Sequence, residues 1–353
     1  MKFNQLGNSE IKVSEVSLGT MTWGEQNTLE EAHSQLDLAI ERKINLIDTA
    51  EMYSVPGKQE TQGSTERILG EWMNKGFAKQ NREKIVLATK AAGPAEWLNY
   101  LRGGPRLNHE HIIKACEDSL SRLKTDYIDL YQIHWPERKT NFFGSLGFTP
   151  QENQVQLEKD TITIQETLEA LSKLVEQGKV KQIGISNETS WGTMKYTQLA
   201  LQFNLPQIVS IQNPYSLLNR SFEVGNSEVC YRENIGLLAY STLGFGTLTG
   251  KYRGGKKPEG ARLTLFERMA RYNNAQADAA IEEYFNIAQE FNLSLASLAL
   301  AFVNSRPFVA SNILGATSTQ QLEENINSIE VEITPEILNA IEKVQLKYSN
   351  PCP

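Results

Sequence analysis

Four side chains of this 353-residue sequence could together perform acid chemistry on a carbonyl group. They are Asp48 and Tyr53 in "NLIDTAEMYS" (45–54), Lys90 in "VLATK" and His134 in "YQIHW". A phenol titrates near pH ~10, too high to exchange protons readily at neutral pH. A nearby ammonium favours the phenolate and lowers that value. A buried ammonium in turn needs an acid beside it to stay charged at tolerable cost. Asp48, Lys90 and Tyr53 therefore read as a chain that tunes a tyrosine as general acid. His134 is the residue to donate to the carbonyl oxygen and fix its position. Taken singly, each of these reads as a cap or a paired charge; the combination is what makes chemical sense. Protonating a carbonyl is half of a reduction. The other half is a hydride, which no side chain supplies, so a cofactor is required.

Other chemistries carry less. A buried Lys90 could form a Schiff base, as in a lyase, but Asp48 would hold it charged and so block it. "HEH" (109–111) has metal-like spacing but no third ligand nearby; it reads as a solvated helix start, and no metal is expected. Cys116 lies mid-helix between Ala115 and Glu117 with no histidine in reach, which makes a poor nucleophile.

The elements that must position these groups follow from periodicity. Short apolar runs rich in β-branched residues recur at 16–19, 45–48, 84–89, 127–134, 181–186, 207–212, 235–240 and 311–316. Amphipathic helices separate them. In 29–43 the stripe is Ala32, Leu36, Ala39 and Ile40; in 163–179 it is Ile164, Leu168, Leu171 and Val175, with Gly178 as the stop. Eight β-then-α units predict an α/β fold, a single (β/α)8 TIM barrel spanning 1–353 as one domain. An open doubly wound sheet would instead want G-x-G-x-x-G in the first βα turn. "SLGTMTWGEQ" lacks it, and the nearest likeness, "LGFGTLTG" (243–250), follows the seventh strand.

The segment 3–14 reads as a β-hairpin across "GN", a plug at the barrel's bottom. Two long polar loops without helical period, 136–160 and 252–275, follow strand ends and read as lids or clamps over the C-terminal face. On that face the strands end in Asp48, Lys90, His134, Ser186-Asn187, Gln212 and Tyr240-Ser241. Six polar ends on otherwise apolar strands are hard to assign to packing.

Composition narrows the partners. Net charge is −7, with acidic and basic residues interspersed, so no clustered basic surface is offered to nucleic acid. The most apolar window, 294–303, is about half of the ~20 residues a membrane helix needs, and the N-terminus has no signal-peptide core. Three scattered cysteines suit a reducing compartment, hence the cytoplasm.

The words around these residues resemble the aldo-keto reductase family along nearly the whole chain. They include "LIDTAEMY", "GSTERILGEWM" (63–73), "SLSRLKTDYIDLYQIHWP" (119–136), "GKVKQIGISN" (178–187), "IQNPYSLLNR" (211–220), "LLAYSTLGFGTLTGKY" (237–252) and "LGATSTQQLEENI" (314–326). Within the family the likeness is to the bacterial Tas-type branch, kin to potassium-channel β-subunits. The resemblance implies an NADP(H)-dependent reductase acting on a small-molecule carbonyl, with Tyr53 as proton donor. It implies Ser186, Asn187 and Gln212 at the nicotinamide carboxamide and Tyr240 stacked on the ring. Gly19, Thr20, Met21 and Asp48 are implied near the same end. Ser241, Leu243, Gly244, Phe245 and Lys251 would line the pyrophosphate; Gly315, Thr317, Gln321, Glu324 and Asn325 would meet the adenosine. No basic residue directly follows the eighth strand, so a 2′-phosphate falls to Arg262 in "PEGARL", folding over from its loop. Met21 stands where other branches place a pocket tryptophan; Trp23, Trp97 and Trp135 are the candidates for the substrate wall. The channel kinship leaves a cofactor-loaded sensor or adaptor as the alternative function, and either a monomer or a homo-oligomer.

Overall fold

The computed structural model describes residues 1–266 and 271–353, so four residues of the 252–275 segment lie outside the described residues. A hairpin comes first, β1 (Phe3–Gln5) paired antiparallel with β2 (Lys12–Ser14). Eight parallel strands follow: β3 (Val16–Gly19), β4 (Leu46–Asp48), β5 (Val86–Ala91), β6 (Ile128–Ile133), β7 (Val180–Ser186), β8 (Ile208–Pro214), β9 (Gly236–Tyr240) and β10 (Val309–Leu314). β10 pairs with both β9 and β3 and closes the barrel. The expected fold class is the observed one. β10 starts two residues before the expected 311, and its pairing with β9 shifts register between Val309 and Ser311.

The helices between strands begin where side chains can satisfy their free N–H groups. Thr28 and Glu31 form a reciprocal capping box on Leu29–Glu41, and Thr163 caps Ile164–Glu176. The second helix is followed by Gly178 at φ +71°, a left-handed stop that glycine adopts without strain. The expected stripes, Ala32, Leu36 and Ala39 in one helix and Leu168 and Leu171 in the other, are buried against the barrel's outer wall. The expected structureless loops hold short helical turns, Gln154–Leu157 in the first and, among the described residues, Arg253–Gly255 and Arg262–Leu265 in the second.

What positions the site is the layering inside the barrel. The lower interior is apolar: Leu46, Val86, Ala88, Leu130, Val209, Leu238, Ala310 and Ile313 pack together, and the hairpin closes them from below with Leu6 and Val13. Side chains on a strand alternate faces, so two residues further along, the chain points inward again. That step carries Leu46 to Asp48, Ala88 to Lys90, Leu130 to Gln132 and Leu238 to Tyr240. An oily floor is thereby capped by one polar layer.

The loop after β6 is clasped at its stem. Arg106 donates through Nε to Glu137 (2.5 Å) and through Nη2 to the Asp160 carbonyl (2.6 Å), so one guanidinium holds both ends of the excursion. The next residue, Arg138, is paired in a fork with Glu188 on the loop after β7.

Candidate active site

Lys90 is fully buried, and its Nζ donates to Asp48 Oδ2 (2.6 Å) and to the Thr49 carbonyl (2.7 Å). The other carboxylate oxygen of Asp48 accepts from Gln212 Nε2 (2.8 Å) and Gln132 Nε2 (3.2 Å). A buried ion pair is tolerable only when its remaining lone pairs and protons are satisfied, and here both oxygens of Asp48 are. Gln132 escaped sequence reading although its period-2 relation to His134 put it on the same inward face.

Tyr53 sits in the loop after β4. That loop is anchored by Glu51, whose carboxylate takes a fork from Arg102 (2.6 and 2.8 Å) and the N–H of Ala92 (2.7 Å). Val55 N donates to the Met21 carbonyl (2.8 Å), tying in the loop after β3. Lys90 Nζ lies 5.1 Å from the Tyr53 ring centroid, and the His134 ring meets Tyr53 edge-on with centroids 5.7 Å apart. The structure thus brings all four expected residues together.

The electrostatics differ from the expected tuning. Burial pushes the Tyr53 phenol well above its usual value, the Asp48 carboxylate adds to that push, and only Arg262 opposes it appreciably. The ammonium of Lys90 is engaged with Asp48 and the Thr49 carbonyl, and burial outweighs its pull on the phenol, so the net shift runs opposite to the one the sequence suggested. Burial also draws Lys90 below the ordinary lysine value, with Asp48 resisting. His134 is pulled well below 6.5 by burial and by Lys90, so its imidazole is neutral near pH 7. Its Nδ1 has no hydrogen-bond partner among the described residues. Its carbonyl accepts from Asn187 Nδ2 (2.8 Å), which fixes the backbone that carries the ring.

One flank of this set is polar and cationic. Ser186 Oγ donates to the Gln212 carbonyl (2.6 Å), and Asn187, at φ +53°, accepts from the Tyr240 hydroxyl. Thr20 Oγ1 donates to the Asp48 carbonyl (2.8 Å), and Gly19 pairs with Asp48 across the strands. Ser241 and Leu243 lead into a tight turn with positive φ at Gly244, Phe245, Gly246 and Gly250, a backbone that offers N–H groups to an anion. The guanidinium groups of Arg262 and Arg271 lie 5.4 and 5.5 Å from the Phe245 ring, and Lys251 lies against Gly246. Burial and the charge of Arg262 lower the Lys251 pKa. Among the described residues no carboxylate lies within 4 Å of these three, whereas neighbouring Arg253 is paired with Glu282. Adjacent cations without a counter-charge among the described residues fit a ligand carrying phosphates, and this donor set suits a nicotinamide dinucleotide. Arg271 was not anticipated, since it comes from a loop with no readable pattern.

At the far end of that flank, Gly315 is exposed with open space where a Cβ would lie. Thr317 donates to the side chain of Gln321 through N (3.2 Å) and Oγ1 (3.1 Å); Gln321 and Glu324 are exposed and Asn325 is buried. The other flank is aromatic. Trp135 and Trp97 lie there with ring centroids 6.1 Å apart. Trp23 does not join them. It is fully buried in the main core with its indole N–H donating to Gln35 (3.3 Å), because the loop after β3 turns it inward; its role is packing.

Cys116 is buried, and burial pushes its thiol up to about 12. His111 Nδ1 accepts from Arg106 N at a helix start. No group of metal-ligating side chains is assembled among the described residues, and no helix described is long and apolar enough to cross a membrane.

Comparison with known proteins places this geometry. A model described as "Aldo/keto reductase family" matches residues 15–346. "Protein tas" of Escherichia coli is 49% identical, covering 100% of both chains. An "Aldo-keto reductase" of Babesia bovis is 38% identical over 76% of this chain and 98% of its own length. A "Probable voltage-gated potassium channel subunit beta" of Arabidopsis thaliana is 30% identical over 98% of this chain and 96% of its own.

Proposed function

Because the chain belongs to the aldo/keto reductase family, we propose that it reduces an aldehyde or ketone to the alcohol with NADPH, Tyr53 supplying the proton. The observation that carries this reading is the meeting of Tyr53 and His134 beside the buried Lys90–Asp48 pair; Lys251, Arg262 and Arg271 lie nearby with no carboxylate partner among the described residues. A bound nicotinamide dinucleotide supplies the hydride. Ser186, Asn187 and Gln212 would hold its carboxamide, Tyr240 its ring, and the Gly244–Gly250 turn with Lys251 its pyrophosphate. Arg262 and Arg271 supply charge for a third phosphate, which supports NADPH over NADH.

His134, neutral and donating through Nε2, orients the carbonyl oxygen. As a C–H bond forms at the carbonyl carbon, negative charge grows on that oxygen and Tyr53 gives up its proton to it, leaving a phenolate. The raised pKa of Tyr53 suits this direction: the acid stays protonated at neutral pH and yields its proton only to the strongly basic oxygen of the transition state. Lys90 below and Arg262 beside it stabilise the phenolate left behind. A Schiff-base role for Lys90 finds no support, since its nitrogen is occupied by Asp48 and the Thr49 carbonyl.

The test is Tyr53→Phe. Loss of a general acid lowers turnover by about 10²–10⁴-fold, while NADPH binding followed by fluorescence quenching persists. Normal turnover in this variant would remove Tyr53 from the mechanism. The channel-subunit relatives favour one other reading, a cofactor-loaded adaptor. Tight NADPH binding by the wild-type protein without its oxidation at 340 nm by any aldehyde would select it.

A further inference from the structure

Gln132 is fully buried beside the Lys90–Asp48 pair, and the reading of the site so far gives it no task. On β6 its backbone is in register with Lys90 on β5 and with Gly184 on β7. It follows Leu130 of the oily floor on the same inward face, where an apolar side chain would pack without cost. A buried amide is costly unless both of its ends are bonded. Here both are. Its Nε2 donates to Asp48 Oδ1 (3.2 Å), and its Oε1 accepts from Gln212 Nε2 (3.4 Å). The glycine on β7 gives it room, since a Cβ on Gly184 would lie 3.2 Å from the Gln132 Cγ.

The consequence falls on Gln212. Its amide nitrogen carries two protons, one given to Asp48 Oδ1 (2.8 Å) and the other to Gln132. Its backbone carbonyl is held as well, by Ser186 Oγ (2.6 Å) and Asn187 N (3.1 Å). An amide with one partner can swing about that single contact. With two partners on the same nitrogen, its plane is set. No hydrogen bond from the described residues ends on Gln212 Oε1, so this side chain has an acceptor to offer a ligand and no donor.

We propose that Gln132 is a positioning residue for the cofactor: by taking the second N–H of Gln212, it leaves that side chain as a pure acceptor matched to the amine of a nicotinamide carboxamide. This rests on the reductase reading, in which Gln212 meets the carboxamide. A pyridine ring whose substituent keeps the carbonyl but lacks the amine, such as an acetyl group, leaves Gln212 Oε1 unmatched and binds more weakly. Gln132 acts through Gln212 and Asp48 rather than on the reacting atoms.

The test titrates NADP⁺, its 3-acetylpyridine analogue and 2′,5′-ADP against the full chain and its variants, following the quenching of protein fluorescence. The full chain binds NADP⁺ at least about fivefold more tightly than the analogue, the size of one hydrogen bond. Gln132→Met brings that ratio to less than about twofold, while affinity for 2′,5′-ADP, which has no nicotinamide, is unchanged. A general loss of structure would instead weaken all three ligands together and leave the ratio alone. Gln132→Asn keeps an amide but draws it back by one methylene; it also lowers the ratio, and it decides the matter if the methionine variant does not fold. A ratio near one in the full chain, or a ratio that neither substitution moves, overturns the inference and leaves the reductase reading intact. Failure of the full chain to bind either NADP⁺ or 2′,5′-ADP overturns the reductase reading, and the inference falls with it.

Discussion

The two flanks of Tyr53 are built on opposite principles. One is cationic and rigidly hydrogen-bonded: Ser186, Asn187, Gln212 and Tyr240 lock to one another and to Asp48, and two guanidinium groups flank Phe245. The other is aromatic and bare at its rim, with Trp97 and Phe143 turned to solvent. Pre-set polar groups suit a ligand whose identity is fixed, because each unmatched donor or acceptor would carry a desolvation penalty. Packed rings accept a range of shapes at modest loss. The contrast fits the proposed function, in which the polar flank takes a defined dinucleotide and the aromatic flank takes the carbonyl compound. Between the flanks, the floor of Lys90 and Asp48 serves both.

Removing the floor should have the largest effect. Lys90→Met leaves the Asp48 carboxylate buried without its counter-charge, a loss of about 3–5 kcal/mol in unfolding free energy, with turnover falling by about 10²-fold or more as the phenolate loses support. An unchanged urea midpoint would mean that the pair contributes nothing to stability. Breaking the cationic flank is a smaller step. Arg262→Ala should lower the NADPH-to-NADH preference about tenfold, the size of one charge-assisted contact; an unaltered preference assigns the extra phosphate elsewhere. The smallest expected effect is that of pH. Tyr53 must be protonated and its pKa is raised, so activity is lost only as pH rises beyond the usual phenol value of ~10. His134 must be neutral and its pKa is lowered, so activity is lost only as pH falls well below ~6.5. Initial rates between those limits should vary by less than about twofold. A titration near pH 8 would show that some other group controls the proton.

Asp48, Lys90 and His134 were legible because each ends a strand, and a polar side chain closing an apolar run is visible in one dimension. Gln132 was equally accessible, two residues before His134, but its neighbours in "YIDLYQIH" obscure the alternation. Arg102 and Arg271 come from irregular loops, where sequence distance says nothing about spatial distance. Trp23 was misplaced because nearness to a strand end does not fix which way a loop turns its side chains. The direction of the Tyr53 shift was misjudged for a related reason. Strand-end positions imply that an ammonium and a phenol are close, but only coordinates show that the ammonium is already bound to Asp48 and that burial prevails.

The clasp at Arg106 gives the loop after β6 a property of its own. With Glu137 and the Asp160 carbonyl held by one guanidinium, and Arg138 fastened to Glu188, the twenty-odd residues between hang from a fixed gate rather than from His134. Such an excursion can be shortened, lengthened or exchanged without shifting His134. It marks a natural splice point at which a new recognition surface could be grafted onto an unaltered reaction centre.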